Sequence, residues 1–243
     1  MRDRLILLPG WGLGTVPLQP LADALRGLDP RLQVQIEPLP LLDSSDPVDW
    51  LDELDANLPQ DAWLGGWSLG GMLAAELAAR RGERCSGLLT LASNLHFVAE
   101  PGWPAAMPAE TFKAFRQGCA ADAAATLKRF ALLCAQGAAD ARGLSRQLLG
   151  AAPLAQSETL LAGLDLLAVL DTRAAVQAFA GPQLHLFAGA DALVPAGAAP
   201  ALLELLPDVE IGLIDHASHA FALERPHEVA AAIQAFLHEA GDD

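Results

Sequence analysis

The 243-residue chain has no tyrosine, only three cysteines, and half as many basic as acidic residues, 15 against 30. Cys85, Cys119 and Cys134 are odd in number and widely scattered, without metal-ligand spacing, which argues against both a disulfide framework and a zinc site. Such usage fits a reducing compartment, and the expectation is a cytoplasmic, soluble protein. Long apolar runs are also missing. Leu5-Ile6-Leu7-Leu8 stops at Pro9-Gly10, too short for a signal-peptide core, and no stretch approaches the ~20 residues of a membrane-crossing helix. The scarcity of Lys and Arg leaves a formal net charge of −15, a field that repels phosphates. Neither nucleic acid nor an anionic membrane is therefore an expected partner. No metal or organic cofactor is expected, and the chain is expected to act as a monomer.

What positive charge there is lies together. Between Thr111 and Gly150 six basic residues (Lys113, Arg116, Lys128, Arg129, Arg142, Arg146) face two acidic ones (Asp122, Asp140), a net of +4, so the rest of the chain carries −19. A basic island in an acidic chain is either a solvated helix face or a docking surface for an anionic partner. Local sequence leaves both open.

Apolar residues make up 52% of the chain, much of it Ala and Leu, which favours long helices around a sheet. Arg4–Leu8 reads as a short buried strand, followed by helix-like sequence over Leu21–Leu28 and a strand over Val34–Leu39. Ala62-Trp63-Leu64-Gly65 leads into a helical run from Met72 to Ala79, and Gly87–Ala92 reads as the next strand. This alternation predicts a mainly parallel sheet with helices on both faces. The rhythm breaks after Asn94. Ala/Leu-rich helical periodicity, punctuated by Pro101, Pro104, Pro108, Gly118, Gly137, Gly150 and Pro153, fills the span to Val176. Strands resume at Gln183–Ala188 and Val209–Ile214, and a last helix begins at Pro226, a residue suited to a first helical turn. The expected organisation is an α/β core over 1–96 and 177–243 with a helical cap over 97–176.

Gly66-Trp67-Ser68-Leu69-Gly70 sits where a strand meets a helix. A serine at so sharp a turn is held in strained backbone angles, and flanking glycines let neighbouring main chains approach. The turn presents the hydroxyl to a pocket and aims the Leu69 N–H at an oxygen that becomes negative when Ser68 attacks a carbonyl. A serine needs a base to take its proton. His216 and His219 both follow the last strand, where loops of an open α/β sheet line the active crevice. His219, further out and followed by Ala220, is the preferred base, with His216 the alternative. Asp191, after a strand and a glycine turn, is the expected carboxylate, although a turn aspartate could serve only its own backbone. The Pro9-Gly10-Trp11-Gly12-Leu13 loop offers a second oxyanion donor in the Trp11 N–H, with the indole as pocket wall.

With Gly10-Trp11-Gly12-Leu13, Gly66-Trp67-Ser68-Leu69-Gly70-Gly71, the Gly189-x-Asp191-x-Leu193-Val194-Pro195 segment and a late histidine, the chain resembles the α/β-hydrolase superfamily over essentially its full length. Within it, Trp63–Gly71, Leu89-Thr90-Leu91-Ala92-Ser93-Asn94 and Thr126–Leu133 most resemble the pimeloyl-[acyl-carrier protein] methyl ester esterases of biotin synthesis. That resemblance implies a catalytic Ser68, Asp191 and His219, with Trp11 and Leu69 holding the acyl oxygen. It further implies an acyl channel lined by Phe130, Ala131, Leu132, Leu133 and Cys134. It gives the basic island a partner, an acidic acyl carrier protein gripped by Lys128, Arg129, Arg142 and Arg146. Two departures stand out: Pro9 replaces a histidine common in the family, and Phe130-Ala131-Leu132-Leu133-Cys134 differs from its usual channel sequence. The implied reaction is hydrolysis of the methyl ester of carrier-bound pimelate to methanol. The rivals are a less selective esterase or thioesterase of short acyl chains and a non-catalytic receptor on the same fold.

Overall fold

The computed structural model describes residues 4–153 and 156–242; the outermost residues assigned to the core, 1–3 and 243, and residues 154–155 of the insertion lie outside it. Six strands, β1 (Arg4–Leu8), β2 (Gln33–Ile36), β3 (Ala62–Trp67), β4 (Cys85–Leu91), β5 (Gln183–Ala188) and β6 (Glu210–Ile214), form one sheet. Its order is β2-β1-β3-β4-β5-β6, and every pairing is parallel. All-parallel strands need cover on both faces, which is why β3 and β5 are buried along their whole length. The second strand ends sooner than its apolar pattern suggests. Glu37 still donates to the Leu7 carbonyl at 3.0 Å, but Pro38 has no N–H to continue the ladder.

The core helices are α1 (Gln19–Leu28), α2 (Pro47–Asn57) and α3 (Leu69–Arg81), then, beyond an insertion, α8 (Arg173–Ala178), α9 (Ala198–Leu205), α10 (Phe221–Glu224) and α11 (Pro226–Asp242). One group, α1 with α10 and α11, packs together; another, α2 and α8, packs on α3. The buried Arg81 guanidinium fastens α3 to the end of α2, donating to Asp55 Oδ1 at 2.7 Å and to the Leu58 and Pro59 carbonyls.

Between β4 and β5 the chain makes α4 (Ala109–Ala121), α5 (Ala123–Ala135), α6 (Ala141–Ala151) and α7 (Ser157–Val169), packed largely on one another. The insertion has a narrow neck. His96 bridges Asp171 in antiparallel fashion, and the Thr172 amide donates to the Leu95 carbonyl at 2.8 Å. Both acidic residues of the basic island are N-caps: Asp122 accepts from the Ala125 amide and Asp140 from the Gly143 amide, at 2.9 and 2.8 Å. Such caps contribute about 1 kcal/mol each. The carboxylates are thus committed to helix ends. Among the described residues no helix is long and apolar enough to cross a membrane.

Candidate active site

Parallel strands bring the ends of β1, β3, β5 and β6 to one edge of the sheet, and the loops that leave there carry Trp11, Ser68, Asp191 and His219. Ser68, between β3 and α3, has φ +56° and ψ −120°, a conformation costly for any residue with a side chain. The glycines around it are required by close approach. A Cβ on Gly66 would lie 2.2 Å from the Gly70 carbonyl carbon, and one on Gly70 would lie 2.4 Å from the Leu8 oxygen. The strained peptide is held by its own hydrogen bonds. The Ser68 amide donates to the Leu91 carbonyl, and the Ser93 hydroxyl donates to the Ser68 carbonyl, both at 2.8 Å.

Asp191 and His219 meet in the interior. His219 Nδ1 lies 2.8 Å from Asp191 Oδ2, and their side chains are 0% and 2% exposed. The other carboxylate oxygen, Oδ1, accepts from the Leu193 and Val194 amides at 2.7 and 2.9 Å, so three donors orient one acid. With Nδ1 donating, Nε2 is left as the acceptor. It is buried and has no partner among the described residues, and the Ser68 hydroxyl likewise makes no hydrogen bond there. Hydrogen bonds between a nucleophile and its base often tighten only around substrate. The indole of Trp67, the residue before Ser68, donates to the His219 carbonyl at 2.9 Å, tying the serine strand to the histidine loop. His216, the alternative base, is exposed on a turn with φ +54°.

Trp11 is buried, its indole N–H donating to the Leu160 carbonyl of α7 at 2.8 Å. Neither the Trp11 nor the Leu69 main-chain N–H has a hydrogen-bond partner among the described residues. Both residues line an apolar cavity of about 240 Å³, with Gly10, Leu39, Trp50 and Leu160 among its walls. A second cavity, of about 100 Å³, is lined by Phe115, Phe130, Leu133, Leu164 and Leu193, with Arg129 at its edge. Phe115 and Phe130 pack roughly perpendicular to the Trp11 ring, with centroids 5.9 and 4.9 Å from it, so this indole stands between the two spaces.

Five consecutive helical residues cannot all face one channel, because each turns about 100° from the last. Phe130 and Leu133 line the second cavity, and Ala131 and Cys134 are buried elsewhere in the packing. Leu132 is 57% exposed, which corrects its expected place in the channel. Lys128, Arg129, Arg142 and Arg146 are exposed and form no ion pair among the described residues. The other two cations of the island are engaged, Arg116 with Asp165 and Lys113 with Glu110. Sequence reasoning missed Ser93 as the elbow's support, although it lies in the Leu89–Asn94 segment. It also missed Trp67 as the brace of His219, for which only the neighbouring serine gave a signal.

The model of the alpha/beta hydrolase family matches residues 5–232. The biotin biosynthesis bifunctional protein BioHC of Cellvibrio japonicus is 37% identical over 241 residues, covering 97% of this chain and 47% of that protein. The chain thus spans about half the length of that relative. Pimeloyl-[acyl-carrier protein] methyl ester esterases of Aeromonas hydrophila and Aromatoleum aromaticum are 34% and 36% identical, with 96% of this chain and 94% and 97% of theirs covered. Among solved structures, an esterase from Exiguobacterium antarcticum superposes with a TM-score of 0.83 at 15% identity, covering 97% of this chain and 92% of that one. A bromoperoxidase from Bacillus anthracis gives 0.82 at 19%, covering 98% and 92%. At such identities these two likenesses speak for the fold alone.

Proposed function

The chain belongs to the alpha/beta hydrolase family, and from that premise we propose that it is a serine carboxylesterase that hydrolyses pimeloyl-acyl carrier protein methyl ester to pimeloyl-acyl carrier protein and methanol, in biotin biosynthesis. The observation that carries the chemistry is the buried Asp191–His219 pair, with a free Nε2, at the sheet edge that also holds the strained Ser68. The substrate rests on the names of relatives at 34–37% identity that align over nearly all of this chain.

Ser68 attacks the ester carbonyl while His219 Nε2 takes its proton, and Asp191 stabilises the resulting imidazolium. The oxygen that gains charge is met by the free Trp11 and Leu69 amides. Collapse expels methoxide, which leaves as methanol with the proton from His219. Water then attacks the acyl-enzyme by the same route and frees the carboxylate. Helices α4–α7 act as the cap, with Phe130 and Leu133 against the acyl chain. Lys128, Arg129, Arg142 and Arg146 hold the acidic carrier from outside, a role suited to cations with no carboxylate of their own.

The test has two parts. Ser68→Ala is expected to lower kcat by at least ~10⁴-fold and to abolish labelling by a fluorophosphonate, as loss of a nucleophile does elsewhere. Pimeloyl methyl ester is then assayed free and attached to its carrier, and the carried ester is expected to give the higher kcat/KM. Equal values would reduce the protein to a general short-acyl esterase, and near-normal hydrolysis by Ser68→Ala would remove the serine mechanism.

A further inference from the structure

The end of α5 is set against both loops that carry the Asp191–His219 pair. The Ala220 amide, next to His219, donates to the Cys134 carbonyl at 3.1 Å, and Cys134 is fully buried. Three residues on, Gly137 has φ +96°. A Cβ there would fall 2.4 Å from the Ala190 carbonyl oxygen and 2.7 Å from the Ala190 Cβ. Ala190 directly precedes Asp191, and its amide donates to the Ala217 carbonyl of the histidine loop at 2.9 Å. Acid loop, base loop and insertion therefore meet within a few residues, largely through main chain. The Cys134 thiol reports the same closeness: burial, and after it the nearby Asp191 carboxylate, push it well above the ordinary thiol range.

Main-chain contacts of this kind have little slack. A side-chain tip can rotate away, whereas a peptide moves only with its element. Glycine is needed at 137 twice over, for its positive φ and for its missing Cβ. The positive φ belongs to the tight turn that closes α5, in which the Ala138 amide donates to the Ala135 carbonyl at 3.1 Å; the missing Cβ is what lets that turn seat against Ala190.

We propose that the turn after α5, through Gly137 and the Cys134 carbonyl, is a positioning element that sets Asp191 and His219 relative to each other, so that the insertion governs turnover as well as substrate binding. For its kinetic readout this rests on the esterase reading above.

The test is Gly137→Ala, assayed on a small water-soluble methyl ester that has no carrier to bind. Since misplacement by ~1 Å can cost ~100-fold in rate, kcat is expected to fall about tenfold or more while KM stays within about twofold. Ala190→Val loads the same contact from the core side without imposing a strained φ, and the same split is expected. Gly150→Ala is the control, because among the described residues beyond its own helix no atom lies within 4 Å of a Cβ there, and it is expected to keep wild-type kinetics. Rates are counted per site titrated to completion with a fluorophosphonate. The far-downfield proton resonance of the Asp191–His219 hydrogen bond is followed in parallel, and it should shift or broaden only in the two contact variants. Normal turnover per titrated site and an unchanged resonance, with any loss confined to melting temperature, would overturn the proposal. A wild-type chain inert toward esters would remove the esterase reading instead, and the resonance alone would then decide whether the turn positions the pair.

Discussion

His219 is held by main-chain contacts as well as by its ring. Its carbonyl accepts from the Trp67 indole at 2.9 Å, the next amide donates to Cys134, and Nδ1 faces Asp191. The Trp67 bond matters because that indole belongs to the residue immediately before the serine, so the strand that aims the nucleophile also locates the base. Trp67→Phe keeps an aromatic ring in the buried site but removes the donor together with part of the indole. It leaves a carbonyl unpaired in the interior, a loss of about 1–3 kcal/mol. The expected outcome is a loss of unfolding free energy of that size, read from the urea midpoint and slope, together with a several-fold fall in kcat on a small ester and little change in KM. Equal loss in kcat and in folded fraction, with normal turnover per titrated site, would mean that the indole serves stability alone.

At the scale of elements, local sequence carried what local physics decides. The Gly66, Ser68 and Gly70 spacing announced the elbow because those glycines answer to contacts made within the turn or to the adjacent strand β1. The late placement of Asp191 and His219 after β5 and β6 was legible from alternating periodicity and from the rule that such loops line the crevice. Leu132 was not. A resemblance read residue by residue assigns a whole segment to a channel, but a helix distributes that segment around its axis, and α5 turns Leu132 to solvent beside Lys128 and Arg129. The link from the end of α5 to the Asp191 loop was equally hidden, since nothing in residues 134–137 names a partner more than fifty positions away. The island on α4, α5 and α6 was legible as charge. Its availability became clear only when Asp122 and Asp140 proved to be caps and Arg116 proved to be paired. Exposed ion pairs contribute about 0.2–1 kcal/mol each. Replacing Arg142 and Arg146 with Gln should therefore raise KM for the carrier-attached ester several-fold, leave the small ester unaffected, and flatten the salt dependence of the former. An identical effect on both substrates would locate those arginines in the fold rather than at the carrier.

The whole molecule carries −15 at neutral pH and an isoelectric point near 4.6, so mild acid relieves its self-repulsion and should, on charge alone, stabilise it. One buried group opposes that trend. His185, in the middle of β5, is fully enclosed, and burial lowers its pKa from 6.5 to about 4. Gln183 spends its amide nitrogen on the Val176 and Phe179 carbonyls, which leaves its oxygen for His185 Nε2 at 3.3 Å, while Nδ1 accepts from the Thr90 hydroxyl of β4 at 2.7 Å. The ring is thereby fixed as the neutral Nε2–H tautomer, with Nε2 engaged within β5 and Nδ1 across to β4. The sign follows from linkage. Above the unfolded pKa of about 6.5 neither state binds the proton; below it the unfolded chain does and the folded one does not, so stability falls as the pH drops toward 4. Between pH 8 and 5.5, a range clear of the isoelectric point, this single group should remove roughly 1–1.5 kcal/mol. His185→Gln is expected to be less stable at pH 8, having lost the fitted ring, yet to lose less stability on acidification than the wild type, because it has nothing to protonate there. Urea midpoints of both proteins across that range check the claim. Parallel curves would show that His185 binds its proton in the folded sheet as readily as in the unfolded chain, and that the pH response of the molecule belongs to its surface charge alone.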